Sequence, residues 1–218
     1  ISLKLMDLTQ FSDLRIVVIG DVMLDHYIWG DATRISPEAP VPVVHVDHDS
    51  YVPGGAANVA CNLAGLGVQT NLLGRYGLDG GGDRLGALLT ERNIYLDPLG
   101  SSGSVSTIVK TRVVVQRQQM CRIDREMATS EYVLMEAGAT VQLKELIEGA
   151  DAVLLSDYAK GVIDSSLIEF VLSVAHNASK QTLVAMDPKP KRHLEFSGLD
   201  LMTPNLIDCL LYTSDAAD

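Results

Sequence analysis

Five short polar segments carry the residue types best suited to chemistry. Pro53-Gly54-Gly55-Ala56-Ala57-Asn58 opens a run with helical spacing. Its two glycines let backbone approach a ligand closely, because no Cβ intervenes. Free N–H groups at a helix start favour an anionic or hydroxyl-rich ligand, and Asn58 offers hydroxyls both a donor and an acceptor. Gly20-Asp21-Val22-Met23-Leu24-Asp25 follows a β-branched run. Carboxylates just past a parallel strand face the crevice where open α/β sheets bind ligands, and a carboxylate can accept from two hydroxyls of a polyol. Ser156-Asp157-Tyr158-Ala159-Lys160-Gly161 has the same placement. Asp157 would hold a hydroxyl there, and Lys160 would reach a phosphate as a mobile point charge. Asp187-Pro188-Lys189-Pro190 and Thr203-Pro204-Asn205 each follow a further apolar run. Each segment alone has a structural alternative: a tight turn with an N-cap, an Asx turn, or a local ion pair. Five polar loops after five strands, all expected at one edge of one sheet, favour a binding site over five coincidences.

The elements that would position these loops follow from periodicity. Arg15–Gly20 reads as a buried strand, and Val41–Val46 as an edge or flap strand because of Pro42. Asn58–Leu66 has helical spacing and stops at Gly67. Thr70–Gly74 is a strand and Asp83–Glu91 a helix with an acidic start. Ser106–Asp124 carries two β-rich halves, read as a hairpin or a bent long strand. Glu131–Gly149 is helical by pattern, Ala152–Leu155 a buried strand, and Ser165–His176 an amphipathic helix. Thr182–Met186 and Leu199–Met202 close the series as strands. Strands alternating with helices after position 58 predict a parallel sheet covered on both faces. The β-rich pieces at about 26–50 and 106–124 break that alternation and predict a small flap beside the main sheet.

Composition narrows the function. The chain has 218 residues, 47% of them hydrophobic, and a formal net charge of −11. That supports one sizeable core. The acidic balance disfavours a nucleic-acid partner, since phosphate backbones are repelled; a local positive pocket for ATP remains compatible with it. No apolar stretch is long enough to span a membrane, and residues 1–14 lack a signal-peptide core. Cys61, Cys121 and Cys209 are odd in number and without metal spacing, which fits a reducing cytoplasm. The five histidines form no metal spacing either.

The chain begins at Ile1 rather than a methionine and ends oddly. A further helix and strands are expected after Asn205, yet Cys209–Asp218 (CLLYTSDAAD) reads as a non-native tail resembling translated adapter read-through, the alternative being a short native helix.

Together these residues resemble the ribokinase (phosphofructokinase-B) family of sugar kinases. PGGAANVACNLAGLG (53–67) resembles that family's first signature, and Gly77-Leu78-Asp79 with Asp83 and Gly86 is similar to its Gly-x-Asp…Gly stretch, with extra glycines at 80–82. Thr203-Pro204-Asn205 with Asp208 resembles its Thr-Pro-Asn-x-x-Glu, with Asp in place of Glu. Residues 20–46, above all Arg34–Pro42, together with 111–124, 154–163 and 186–190, narrow the resemblance to its heptose-phosphate kinases, although Pro190 stands where glycine is usual there. The resemblance covers about residues 12–208.

It implies a ribokinase-like α/β three-layer sandwich with a mostly parallel central sheet and a small β-flap, incomplete at the C-terminus. The implied activity is ATP-dependent phosphorylation of D-glycero-D-manno-heptose 7-phosphate at its anomeric hydroxyl, with ATP and Mg2+ as cofactors. The alternatives are another sugar kinase of the family or a non-catalytic sugar-binding fragment. Asp25, Gly54, Gly55 and Asn58 would meet the sugar, with Asp21 as a second contact. Asp157 and Lys160 would face the sugar or its phosphate. Asn205 and Asp208 would face ATP and its magnesium, and the flap would pair two subunits. The family's second signature, Gly-Ala-Gly-Asp, whose Asp is the general base, is not in these residues. An active parent enzyme with its catalytic Asp beyond residue 208, and an inactive fragment, are therefore expected.

Overall fold

A computed structural model describes residues 8–135, 140–178, 180–189 and 197–205. In chain order the elements are β1 (Arg15–Gly20), β2 (Val22–Ile35), β3 (Pro42–Gly55), α1 (Ala56–Gly65), β4 (Gln69–Leu73), β5 (Tyr76–Gly77), α2 (Gly80–Thr90), β6 (Tyr95–Leu96) and β7 (Ser101–Ser102). They continue with β8 (Val109–Val115), β9 (Gln118–Arg125), α3 (Thr140–Glu148), β10 (Ala152–Ser156), α4 (Ser165–Asn177), β11 (Leu183–Asp187) and β12 (Leu201–Met202).

Six strands form one sheet in the order β12-β11-β10-β1-β4-β6, and every pairing in it is parallel. The chain first builds outward from β1 to β4 and β6, then returns to the other side of β1 for β10, β11 and β12. The strand order thus reverses beside β1, and ligands of open α/β sheets bind at the carboxyl ends around such a point.

Both faces are covered. Val17 and Ile19 of β1 point into a core shared with Leu143 and Ile147 of α3 and Leu167, Ile168 and Val171 of α4. Val18, one residue over, faces Ala56, Ala57 and Ala60 of α1 and Leu85 and Leu89 of α2. The three small, fully buried alanines let α1 lie close against the sheet. No helix among the described residues is long and apolar enough to cross a membrane.

The expected flap is a four-stranded sheet, β3-β2-β8-β9. It reaches further into the molecule than the sequence suggests, because the antiparallel β2–β3 ladder continues down to Val22 opposite Gly55. Two segments read as loops, Val22–Asp25 and Pro53–Gly55, are therefore strand. β8 lies parallel to β2 and antiparallel to β9. The turn joining β8 and β9 places Gln116 and Arg117 at φ 48° and 69°, the left-handed pair that two-residue hairpins require and that Asn-Gly fills best. Replacing Gln116 by Asn together with Arg117 by Gly is expected to stabilise the fold by about 0.5–1 kcal/mol. Urea midpoints would show this; an unchanged or lower midpoint would mean that the two side chains contribute more than the backbone strain.

Two helices differ from expectation. α2 starts at Gly80, not Asp83: the Asp79 side chain accepts from Gly82 N at 2.8 Å and from Thr107 N at 2.9 Å, so one carboxylate caps the helix and ties it to the approach to β8. Of the single helix expected over 131–149, the described residues show α3 over Thr140–Glu148, while Thr129–Tyr132 is a 3-10 turn. There Tyr132 is buried and donates to Ser106 O at 2.9 Å, a tertiary anchor that overrides the helical pattern. Asp208, Pro190 and the tail from Cys209 to Asp218 lie outside the described residues.

Candidate sugar-binding site

The polar segments do converge on the carboxyl edge of the sheet, but with different tasks. Asp21, just past β1, is fully buried. Its Oδ2 accepts from Tyr158 N at 2.8 Å and Lys160 N at 3.0 Å, and its Oδ1 from Val162 N at 3.0 Å. Burial pushes its pKa above the ordinary value of 3.8 despite these three N–H donors. Asp21, expected as a second sugar contact, here places its carboxylate in the loop after β10, and it is not among the residues that line the cleft described below. The loop wraps it through left-handed conformations at Ala159 (φ 57°) and Gly161 (φ 115°). A Cβ on Gly161 would fall 2.0 Å from Thr129 O, so only glycine fits there.

Asp157 is also turned inward. It is buried, accepts from Ala159 N at 2.8 Å, and stands 3.4 Å from Lys189 N. Lys160 does not reach into a cleft either: its Nζ pairs with Glu126 Oε2 at 2.6 Å, joining the loop to the end of the flap. Both residues thus shape the site's edge in this structure rather than line it. Asn205 is exposed beyond β12 and lines no part of the cleft described next.

The remaining sequence candidates meet as expected. Asp25, Gly54, Gly55 and Asn58 line one cleft of about 420 Å³ under the flap. Asp25 projects from β2 toward Arg112 of β8, and its Oδ1 accepts from Arg112 Nη1 at 2.5 Å. Its Oδ2 occupies the space beside Gly54, where a Cβ would come within 2.4 Å of it. That absent Cβ is what admits the carboxylate. Gly55, with φ 58°, precedes α1 as its N-cap and brings Asn58 to the cleft on the first turn.

Met23, Tyr27, Lys110, Arg112 and Tyr158 also line the cleft, beside Val52 and Pro53, and sequence reasoning named none of these five as site residues. The signal was alternation: Lys110-Thr111-Arg112 in a β-rich run puts both cations on one face. The register places Lys110 beside Asp25 and Arg112 beside Tyr27. The guanidinium also lies over the Tyr27 ring, 5.3 Å from its centroid, a cation–π contact. The hydrogen bond it donates to Asp25 holds Arg112 more firmly charged than usual. Lys110 is pushed below the ordinary 10.5, first by burial and then by the nearby Lys160 charge.

The alternate residues of β2 face a second cleft, of about 490 Å³, on the back of the flap. There His26 stacks on Tyr51 at 4.1 Å and pairs with Asp49 at 2.9 Å, while Arg84 of α2 lies over the Tyr51 ring.

No group of three His, Cys, Asp or Glu side chains that could hold a cation occurs among the described residues. Of the residues expected at ATP and magnesium, Asn205 is among those described and Asp208 is not.

Comparison with known proteins fits this geometry. Residues 13–215 match the family described as "pfkB family carbohydrate kinase". The chain is 40% identical over 200 residues to the "Bifunctional protein HldE" of Magnetococcus marinus, across 90% of this chain and 41% of that protein. It is 43% identical over 195 residues to the protein of the same name from Gluconobacter oxydans, across 89% of this chain and 40% of that one. The chain thus spans about two fifths of the length of the curated relatives it matches. Among solved structures, Arabidopsis thaliana ribokinase complexed with ribose and ATP superposes with a TM-score of 0.68 at 19% identity, covering 92% of this chain and 63% of that one. Giardia lamblia ribokinase gives 0.66 at 18% identity, covering 94% and 66%. At such identities the likeness speaks to the fold, which is ribokinase-like.

Proposed function

Because the chain belongs to the pfkB family of carbohydrate kinases, we propose that it forms the sugar-binding part of an ATP-dependent kinase whose substrate already carries a phosphate. The observation that carries this reading is one cleft holding both kinds of recognition. Asp25 and Asn58 offer partners for sugar hydroxyls, and Lys110 and Arg112 offer positive charge for a phosphate. The lowered pKa of Lys110, caused first by burial and then by the Lys160 charge, supports it, because a desolvated cation beside another cation favours an incoming anion. The substrate named by the resemblance, D-glycero-D-manno-heptose 7-phosphate phosphorylated at its anomeric hydroxyl, fits that division. On this reading Asp25 and Asn58 orient the sugar, the Gly54–Gly55 backbone admits it, and the flap excludes water. ATP with a divalent metal would supply the phosphoryl group. The exposed outer strand β9 is where a second subunit would pair.

Calorimetry on this chain tests the reading. Heptose 7-phosphate should bind at least roughly tenfold more tightly than the unphosphorylated heptose. Equal affinities would remove the phosphate from the proposal. Preferential binding of ribose 5-phosphate or fructose 6-phosphate would replace the heptose with another sugar. The pH dependence has a definite sign. Lys110 attracts the phosphate only when protonated, and its pKa lies below the ordinary 10.5. Affinity should therefore fall as pH rises through that lowered value, earlier than a solvated lysine would allow. Lys110→Met should flatten this alkaline limb; an unchanged limb would exclude Lys110 from the phosphate contact.

A further inference from the structure

We propose that Arg112 makes the sugar site conditional on the substrate's phosphate: it holds Asp25 when the cleft is empty, and the phosphate draws it away, releasing a carboxylate oxygen for a sugar hydroxyl. The inference rests on the reading above that the substrate is a sugar phosphate.

Asp25 is held by Arg112. Its Oδ1 takes the Arg112 hydrogen bond at 2.5 Å, and its Oδ2 lies beside Gly54, where a Cβ would come within 2.4 Å of it. Both partners are about one-fifth exposed, 21% for the Arg112 side chain and 20% for Asp25, so this pair is poorly screened and its oxygen is a weakened acceptor for anything else. An uncharged sugar reaching Asp25 must compete with a guanidinium and has nothing to offer it in return.

A phosphate changes the exchange. It carries nearly two negative charges at neutral pH and three strong acceptor oxygens, against one charge on Asp25. The Lys110 side chain, two residues earlier on the same strand face, adds a second cation to the same anion. Arg112 does not have to leave its support to respond. Its guanidinium lies over the Tyr27 ring, a flat surface on which it can shift, and a guanidinium has five donors, of which Nη1 makes the contacts to Asp25 and Lys110 O. Substrate discrimination therefore has two sources: the phosphate's own attraction, and the Asp25 acceptor it uncovers. By linkage, phosphate and sugar should each strengthen the other's binding.

Two measurements on this chain test the exchange. In the first, binding of heptose 7-phosphate and of unphosphorylated heptose is compared between the unaltered chain and Arg112→Gln. Heptose 7-phosphate should weaken roughly tenfold or more, while unphosphorylated heptose should bind about threefold more tightly, since Asp25 is freed. If both weaken together, Arg112 merely positions Asp25 and the exchange is wrong. If only the phosphorylated sugar weakens and the other is unchanged, Arg112 is an anchor without a gate, which also overturns it. The second measurement needs no variant: millimolar inorganic phosphate should raise the affinity of the unaltered chain for unphosphorylated heptose about threefold or more. Independence or competition between the two would overturn the exchange. Loss of all preference for the phosphorylated sugar in the unaltered chain would instead fail the function proposed above, so the two failures are distinguishable.

Discussion

Asp21→Ala is expected to destabilise the fold by about 3–5 kcal/mol, because it removes a fully buried carboxylate and leaves one buried and two part-buried N–H groups without that acceptor, at about 1–3 kcal/mol each with incomplete additivity. The three are those of Tyr158, Lys160 and Val162. A loss of that size is a large part of a domain's total of about 5–15 kcal/mol, so urea unfolding should show a sharply lower midpoint or no cooperative transition. Asp21→Asn keeps one oxygen acceptor and should lose less. The pair of variants also carries a pH signature. Burial raises the folded-state pKa of Asp21 above 3.8, so its favourable contribution is fully present below 3.8 and is lost as pH rises through the raised value. Relative to Asp21→Asn, the unaltered chain should therefore weaken as pH rises across that window. If Asp21→Ala unfolds within about 1 kcal/mol of the parent, the carboxylate is not what holds the loop.

The second large effect is at Gly54. Adding a Cβ would place it 2.4 Å from Asp25 Oδ2 and 3.0 Å from Met23 Cγ. The Asp25 carboxylate would have to leave its seat, and the Arg112 pair with it. Gly54→Ala should reduce sugar-phosphate affinity roughly a hundredfold, with a stability loss of about 1–3 kcal/mol from overpacking. Gly65→Ala is the contrast: nothing lies within 4 Å of its Cβ position, and alanine there should be neutral or stabilise α1 by up to about 1 kcal/mol. Similar binding losses in the two variants would show that the close approach at Gly54 has no role in the site.

Much of the scaffold is legible in the amino-acid order. β1, β10 and β11 are short, largely apolar runs because a parallel strand is buried on both faces, and such runs leave few other readings. The Pro53–Asn58 motif is legible for a similar reason, since paired glycines before a small-residue helix permit close backbone approach. What the order conceals is direction. Asp21 and Asp25 look equivalent until β2 is seen to begin at Val22, which turns one carboxylate into the loop after β10 and the other into the cleft. Asp157 follows Asp21, drawn inward by Ala159 N and placed by Lys189 N. Lys110 and Arg112 become site residues only through β2, where Arg112 meets Asp25 from 87 positions away in sequence, and no local pattern encodes that register. The three glycines at 80–82 resemble a loop by composition and are helix because Asp79 caps them.

The double-faced use of β2 has an evolutionary corollary. Successive residues of this strand serve different clefts: Asp25 and Tyr27 line the one under the flap, and His26 and Ile28 the one behind it. Deleting or inserting a single codon between Val22 and Trp29 would exchange the two sets wholesale, putting a histidine where the Asp25 carboxylate faces its cleft. Lineages can therefore retune this stretch only by point substitution. Beyond the irregularities at Trp29/Gly30 and Ala32/Arg34, where an extra residue is already absorbed, length changes become tolerable. Homologous strands should accordingly keep a fixed length at the base and vary toward the tip.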